Sequence, residues 1–319
     1  MSGKVAVLHD AAAANGAADA ADVLAEAAYV SRGLESLGYE PVIVPVGLDL
    51  EGLQSTLLSL EPRVAFNLVE SLAGRGDLIH VVPALLESLQ MPFTGCSALA
   101  QWMTSNKLTA KRRLADNAIA TPEILPSGEA SRARGPWIVK SVWEHASLGL
   151  DDDSVVADSG SVSAVIARRE REHGGQWFAE RFVPGRELNV AILAGDPSPS
   201  VLPVAEIRFE RFPAGKPHIV GYAAKWDSTS AEYAGTVRSF AVEPAIRAAA
   251  AGIALECWKL FELGGYARVD IRVDDEGRLW VLEINANPCL SPDAGFAAML
   301  EAARIPFGDA LARLIADAT

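Results

Sequence analysis

The sequence predicts a three-part protein of mixed α/β and α+β class: an N-terminal parallel sheet packed by helices, a small middle unit, and a larger C-terminal sheet. Three observations carry that prediction. Apolar runs of strand length alternate with helical spacing over residues 4–68, short strands separated by Gly/Pro turns recur over residues 137–209, and an acidic hairpin occupies residues 266–288.

Residues 4–8 (KVAVL) read as a buried first strand. After an alanine-rich stretch, residues 22–37 place Val23, Ala27, Val30, Leu34 and Leu37 at helical spacing before Gly38 stops the helix. Residues 41–46 and 63–68 are the next strands, and this strand–helix–strand order implies parallel pairing with helices packed on the sheet. Residues 80–89 form a helix and 91–94 a short strand. Ser105 is placed to cap a helix running to Asn117, and Thr121-Pro122 starts a new segment. Residues 137–141 are a strand, and 162–173 a helix closed by Gly174-Gly175. Residues 177–183 and 187–194 look like paired strands around Pro184-Gly185, with 201–209 continuing the sheet. Residues 216–236 are the least regular, 244–263 a helix, and 306–318 a terminal helix. The expected units are residues 1–98, 99–178 and 179–319.

In the hairpin, alternation sets Arg268, Asp270 and Arg272 on one side and Ala267, Val269, Ile271 and Val273 on the other. The second strand sets Glu283 and Asn285 against Trp280, Leu282 and Ile284. With residues 274–277 as the turn, Val273 is expected opposite Arg278, Ile271 opposite Trp280, Val269 opposite Leu282, and Arg268 opposite Glu283. Asp270, Glu283 and Asn285 then converge as a hard-oxygen set suited to Mg²⁺, the ion that usually bridges substrate phosphates. A solvated charged face neutralised by arginine is the other reading of the same residues.

A length of 319 residues supports two or three domains with real cores, and half the residues are hydrophobic. No apolar run approaches a membrane span and the first residues lack the apolar core of a signal peptide, so the expectation is a soluble, cytoplasmic protein without a membrane partner. A net charge of −13 argues against general nucleic-acid binding. Cys96, Cys257 and Cys289 lie too far apart in sequence for a CxxC pair, and the five histidines lack zinc-site spacing.

Lys140 ends an apolar strand beside a loop with Ser147 and Gly149, where backbone N–H groups can approach an anion. An unpaired buried ammonium is costly, which favours a phosphate role for Lys140 over a structural ion pair. Lys107 in SNKLTAKRR fits a phosphate contact or a solvated basic helix face, and Lys225 in AAKWD is equally open. Glu180 and Glu187 flank the FVPGR turn, where backbone groups near Val183 can read an adenine edge and a carboxylate can take ribose hydroxyls; two exposed glutamates are the alternative. Cys289 as a nucleophile is disfavoured, since no histidine lies near it in sequence.

The ordered set of Lys107, KSVWEHASLG at 140–149, ERFVPGRELNV at 180–190, AAKW at 223–226, RVD at 268–270 and EINANP at 283–288 resembles the ATP-grasp ligases, with D-alanine–D-alanine ligases the nearest group. FNLVESLAG at 66–74 and PFTGCSALA at 92–100 extend the resemblance over most of the chain. It implies an ATP-grasp fold in which two antiparallel sheets sandwich ATP. By motif match, Lys107 and Lys140 would hold the α- and β-phosphates and Lys225 the γ-phosphate. Glu180 and the backbone at Val183 would face adenine, Glu187 the ribose, and Asp270, Glu283 and Asn285 the Mg²⁺ ions, with Mn²⁺ as a substitute. Arg268 would stabilise charge at the reacting carboxylate, and the Ser147 loop would close over the phosphates.

The implied activity is an ATP-dependent carboxylate–amine ligase that forms an amide or peptide bond through an acyl phosphate. Its substrates would be small carboxylates and amines such as amino acids or short peptides; a homodimer is compatible. Departures gather at the substrate positions. The family's glutamate after the first strand has no counterpart in HDAAAANGAADAAD, its His-Gly becomes Glu70-Ser71, and its Pro-Gly becomes Pro288-Cys289. An altered substrate is therefore expected, with an authentic D-alanine–D-alanine ligase and a non-catalytic ATP-binding regulator as alternatives.

Overall fold

The structure is a computed structural model that describes residues 3–11, 18–126, 135–144, 147 and 149–319. Along the first part of the chain, β1 (Lys4–Asp10), α1 (Ala18–Ser36), β2 (Glu40–Val46), α2 (Leu50–Leu60) and β3 (Val64–Asn67) build a parallel sheet of order β2-β1-β3. Val5 to Leu8 are fully buried, as the continuous apolar run requires when helices cover both faces. Helix α2 was not foreseen; Asp49 caps it by accepting from Gly52 N, and Leu53 and Leu57 turn inward.

Helix α3 (Val81–Ser88) follows. Residues 91–94 do not form a strand. Two hydrogen bonds tie Pro92 and Thr94 to Ala65, a single bridge at Phe93, before Gly95 turns the chain at φ +96°. The helix expected from Ser105 to Asn117 is α5 (Lys107–Asp116), and an unforeseen helix, α4 (Ala98–Ser105), precedes it. Asn106 adopts an extended backbone between them and its side chain accepts from Thr109 N, so Asn106 is the cap and Ser105 lies in the preceding turn.

The middle sheet contains β4 (Trp137–Ser141), β5 (Val155–Val156) and, after α6 (Val162–His173), β6 (Trp177–Arg181), in order β5-β4-β6. Helix α6 closes one face through Val162, packed with Trp137, Val139, Trp177 and Ala179. The expected pairing of residues 177–183 with 187–194 is corrected here: β6 pairs with β4, while β7 (Arg186–Leu193) belongs to the next sheet. Periodicity reveals strands but not partners. The chain changes sheets at Gly185, whose φ of +133° and lack of a side chain let it pass the end of a neighbouring strand; a Cβ there would lie 2.1 Å from the Val273 carbonyl oxygen.

The large sheet continues through β8 (Ser200–Val201) and β9 (Ala205–Phe209). Two five-residue helices, α7 (Tyr222–Trp226) and α8 (Ala231–Gly235), occupy the stretch without clear periodicity. Then come β10 (Thr236–Ser239), α9 (Pro244–Leu260), β11 (Tyr266–Val273), β12 (Leu279–Asn285), α10 (Gly295–Ala302) and α11 (Phe307–Ala318). The strand order is β10-β9-β7-β11-β12, with β8 also on β7.

One face of this sheet presents Leu188, Val190, Val269, Ile271, Val281 and Ile284 to α4, α5 and α9, forming the largest core. Each such side chain contributes about 1.5–3 kcal/mol by leaving water. The opposite face divides in two: Ala191, Leu193 and Tyr266 pack under α10 and α11, and the rest is polar.

The hairpin register differs from expectation by one residue and a bulge. Arg268 opposes Asn285, Val269 opposes Ile284 and Asp270 opposes Glu283, but Ile271 opposes Val281, leaving Leu282 as the extra residue. The bulge shifts the alternation, so Val281 rather than Leu282 faces the core, while Glu283 lands directly across from Asp270.

Candidate active site

The polar face of the large sheet lies opposite the middle sheet, and the charged residues converge between them. Arg268 donates from Nε and Nη2 to the two oxygens of Asp270, at 2.7 and 2.8 Å. Asn189 on β7, which sequence reading did not single out, donates to the same carboxylate at 2.8 Å. Burial works against the charge of Arg268, but Asp270 and Glu283 hold its pKa above the ordinary guanidinium value. Asn285 accepts from Asn287 N at 2.9 Å, which fixes its amide.

Lys107 opens α5 and is buried. Its Nζ donates to the Glu144 carbonyl at 2.5 Å and lies 3.7 Å from Glu283. Desolvation lowers its pKa against the pull of Glu283. Glu283 is half-buried, and although desolvation pushes its pKa up, Lys107, Lys140, Arg268 and Lys225 together hold it below the usual carboxylate range. Four cations thus surround the carboxylate expected to hold a metal.

Lys140 and Lys111 both bind Glu180, at 2.8 and 2.5 Å. Glu180 is fully buried; burial alone would raise its pKa, but the two ammonium groups bring it below the usual value. Lys111 was not singled out from the sequence, where SNKLTAKRR reads as readily as a solvated face. The signal available was Ala110 and Leu114, which place Lys111 beside the inward side of α5. Val183 is partly exposed beyond β6. Glu187 stands opposite Arg272 on β11 and pairs with it at 2.9 Å. Burial raises Glu187, with Arg272 opposing.

Lys225 sits on α7 with its Nζ 5.0 Å from the centroid of Trp226. Desolvation and then the charge of Arg268 lower its pKa. Ser147 adopts φ +60° and donates to the Val220 carbonyl at 2.9 Å, joining the loop after β4 to the segment before α7. Tyr222 N donates to the Leu150 carbonyl at 2.9 Å across the same seam. Of that loop, residues 145, 146 and 148 lie outside the described residues.

A second set of acids, from α1 and the segment after β3, meets the turn beyond the hairpin. Leu290 N donates to Glu26 at 2.5 Å and Ser291 Oγ to Asp22 at 2.7 Å. Ligand-type atoms of Glu26, Glu70 and Cys289 lie within 4.8 Å of one another. Burial, followed by Glu70, pushes Glu26 well up. Burial, with Asp22 reinforcing and Lys225 opposing, raises Glu70 to about 7. Burial and then Glu26 push the Cys289 thiol up, which keeps it protonated and a poor nucleophile. Only the tertiary fold brings Asp22 and Glu26, both on α1, to this site.

The donor set fits a divalent cation. Asp270 and Glu283 share a face in direct register, and Asn285 adds an amide oxygen next along the strand. The counter-charges now on these carboxylates come from Arg268 and Lys107.

Residues 116–316 match the family model described as D-ala D-ala ligase C-terminus. The chain belongs to the D-alanine–D-alanine ligase family. Members of this family are ATP-grasp, ATP-dependent C–N ligases. A D-alanine–D-alanine ligase of Acidiphilium cryptum is 30% identical, covering 84% of this chain and 84% of its own length. An uncharacterized protein of Sinorhizobium fredii is 29% identical over 84% of this chain and 79% of its own. A D-alanine–D-alanine ligase from Bacillus anthracis, solved in complex with ATP, superposes with a TM-score of 0.76 over 99% of this chain and 97% of its own at 20% identity. Among the described residues, no helix is long and apolar enough to cross a membrane.

Proposed function

We propose that this protein is an ATP- and Mg²⁺-dependent carboxylate–amine ligase whose substrate subsite differs from that of the dipeptide-forming ligases. The observation that carries the reading is one charged cluster in which Lys107 of α5, Lys140 of β4, Lys225 of α7 and Arg268 of β11 all act on Glu283, with Asp270 and Asn285 beside it. Mere nucleotide binding does not require that whole set.

In this reading Lys107 and Lys140 hold the α- and β-phosphates and Lys225 meets the γ-phosphate. Glu187 faces the ribose, and the backbone at Val183 faces adenine. Glu180 fixes the position of Lys140 through its buried ion pair. Asp270, Glu283 and Asn285 hold the metal, which neutralises phosphate charge when bound. A substrate carboxylate oxygen bonds to the γ-phosphorus as the bond to ADP breaks. An amine then adds to the acyl phosphate carbon, loses a proton, and expels phosphate from the tetrahedral intermediate. Arg268 stabilises charge at that carbon, and the Ser147 seam keeps water out. Catalysis rests on positioning and charge neutralisation.

The reading of an altered substrate is supported by Glu70 and Cys289, whose ligand-type atoms cluster with that of Glu26 beside the turn after the hairpin. The units that divide this work are residues 1–98, 99–178 and 179–319, acting in the cytoplasm. Light scattering on the purified protein tests a homodimer. The decisive experiment supplies ATP, Mg²⁺ and a panel of amino acids and small carboxylates, reading ADP release with mass analysis of products. A new amide bond from a pair other than D-alanine with itself is expected. D-alanyl-D-alanine as the preferred product would overturn the altered subsite, and silence across the panel would overturn the ligase reading.

A further inference from the structure

Arg238 is a cation with no part in the ligation steps proposed above. It lies on β10 opposite Ile207, which stands opposite Glu187, which stands opposite Arg272. Opposed residues of antiparallel strands share a face, so Arg238 is on the polar face of the large sheet. Its Nη2 lies 3.6 Å from the position a Cβ would take on Gly295, the first residue of α10. Solvent reaches the residue, but its guanidinium rests against protein there. That desolvation, and then the charge of Arg268, lowers its pKa, while Asp293 pulls the other way.

Most other cations around this face are paired: Arg268 with Asp270, Arg272 with Glu187, Lys140 with Glu180, and Lys107 with Glu144 and Glu283, while Lys225 lies over Trp226. Among the described residues Arg238 makes no hydrogen bond or ion pair. A guanidinium presents a planar fork that matches a carboxylate. The attacking amine must reach the acyl carbon at Arg268, and the carboxylate of an α-amino acid is two bonds from its amine nitrogen.

We propose that Arg238 is a specificity-determining residue that receives the carboxylate of the amine-bearing substrate, setting it beside Arg268. The assignment rests on the ligase reading above, and the acceptor is then a free amino acid or peptide rather than a simple amine.

The test pairs each active acceptor with its carboxamide and follows ADP release and product mass in wild type, Arg238→Gln and Arg238→Lys. Wild type is expected to use the acid roughly 10- to 100-fold better than the carboxamide. Arg238→Gln raises KM for the acid by a similar factor, keeps KM for ATP within about twofold, and narrows the acid–carboxamide gap. Arg238→Lys recovers part of the loss. Thermal melts followed by circular dichroism verify that the variants fold. An unchanged acceptor KM in Arg238→Gln, or equal use of carboxamides by wild type, overturns the assignment while leaving the ligase reading intact. No ADP release from wild type with any acceptor overturns both.

Discussion

Where the middle sheet meets the large one, the buried Lys107 and Lys111 and the half-buried Lys140 share two glutamates: Lys111 and Lys140 hold Glu180, and Lys107 lies beside Glu283. At the other end of the site, Lys225 lies over a ring and makes no ion pair among the described residues, the Arg238 side chain has no partner among them, and Glu70 is driven toward neutrality. In the first region every lysine already faces a carboxylate before any ligand arrives. The second is mismatched, with spare cations on one side and crowded carboxyls on the other. Glu70 is half-buried there, so its crowding costs stability, whereas Lys225 and Arg238 remain open to solvent. A zwitterionic or charged substrate supplies the missing counter-charges, so the mismatch reads as selectivity held in the fold.

Substitutions at the two ends test that contrast. The largest effect is expected from Asp270→Asn or Glu283→Gln, each lowering ATP turnover by roughly 1000-fold or more with the fold intact, measured by ADP release alongside a melting curve. Undiminished turnover would remove the metal assignment. Glu180→Gln leaves two buried ammonium groups facing an amide, so the expected cost is about 3–5 kcal/mol in a denaturant titration. Lys140→Ala is milder, because Lys111 still neutralises Glu180. It should weaken ATP binding roughly 10- to 100-fold by calorimetry without the same loss of stability.

The substrate end should reveal itself through pH. Glu70 is raised from 4.5 to about 7, so between those values the folded state binds more protons than the unfolded chain, and stability falls as pH rises through that window. Allowing for its partial exposure, the loss is on the order of 2 kcal/mol. Melts from pH 4 to pH 8 should show that slope in wild type and a flatter one in Glu70→Gln. Equal slopes would mean that the crowding is not felt. The smallest effect belongs to Ser147→Ala, which removes one hydrogen bond across the seam and should lower kcat about fivefold, consistent with roughly 1 kcal/mol.

The strand runs, the helix over 162–173 and the alternation on β11 were legible because burial imposes period on sequence. What escaped depended on partners. Residues 177–181 look like half of a hairpin until β4 claims them. Leu282 looks inward-facing until a bulge gives that place to Val281. The lysines and acids proposed for phosphate and metal were singled out from motif order, whereas Lys111, Asn189, Glu26 and Arg238 were not. Each acquires its meaning from a residue at least 30 positions away, such as Glu180 for Lys111 and Asp270 for Asn189.

The turn at Gly185 has a mechanical consequence. Only residues 182–185 separate β6 of one sheet from β7 of the other, a tether that spans at most ~14 Å when fully stretched. Backbone contact with Val273 pins it further. The tether keeps the sheets from parting along this edge, so any opening between them would be a rotation about a nearly fixed axis. A nucleotide base seated against that turn would lie close to the axis, where displacement is least, and its triphosphate would extend toward the side that travels most.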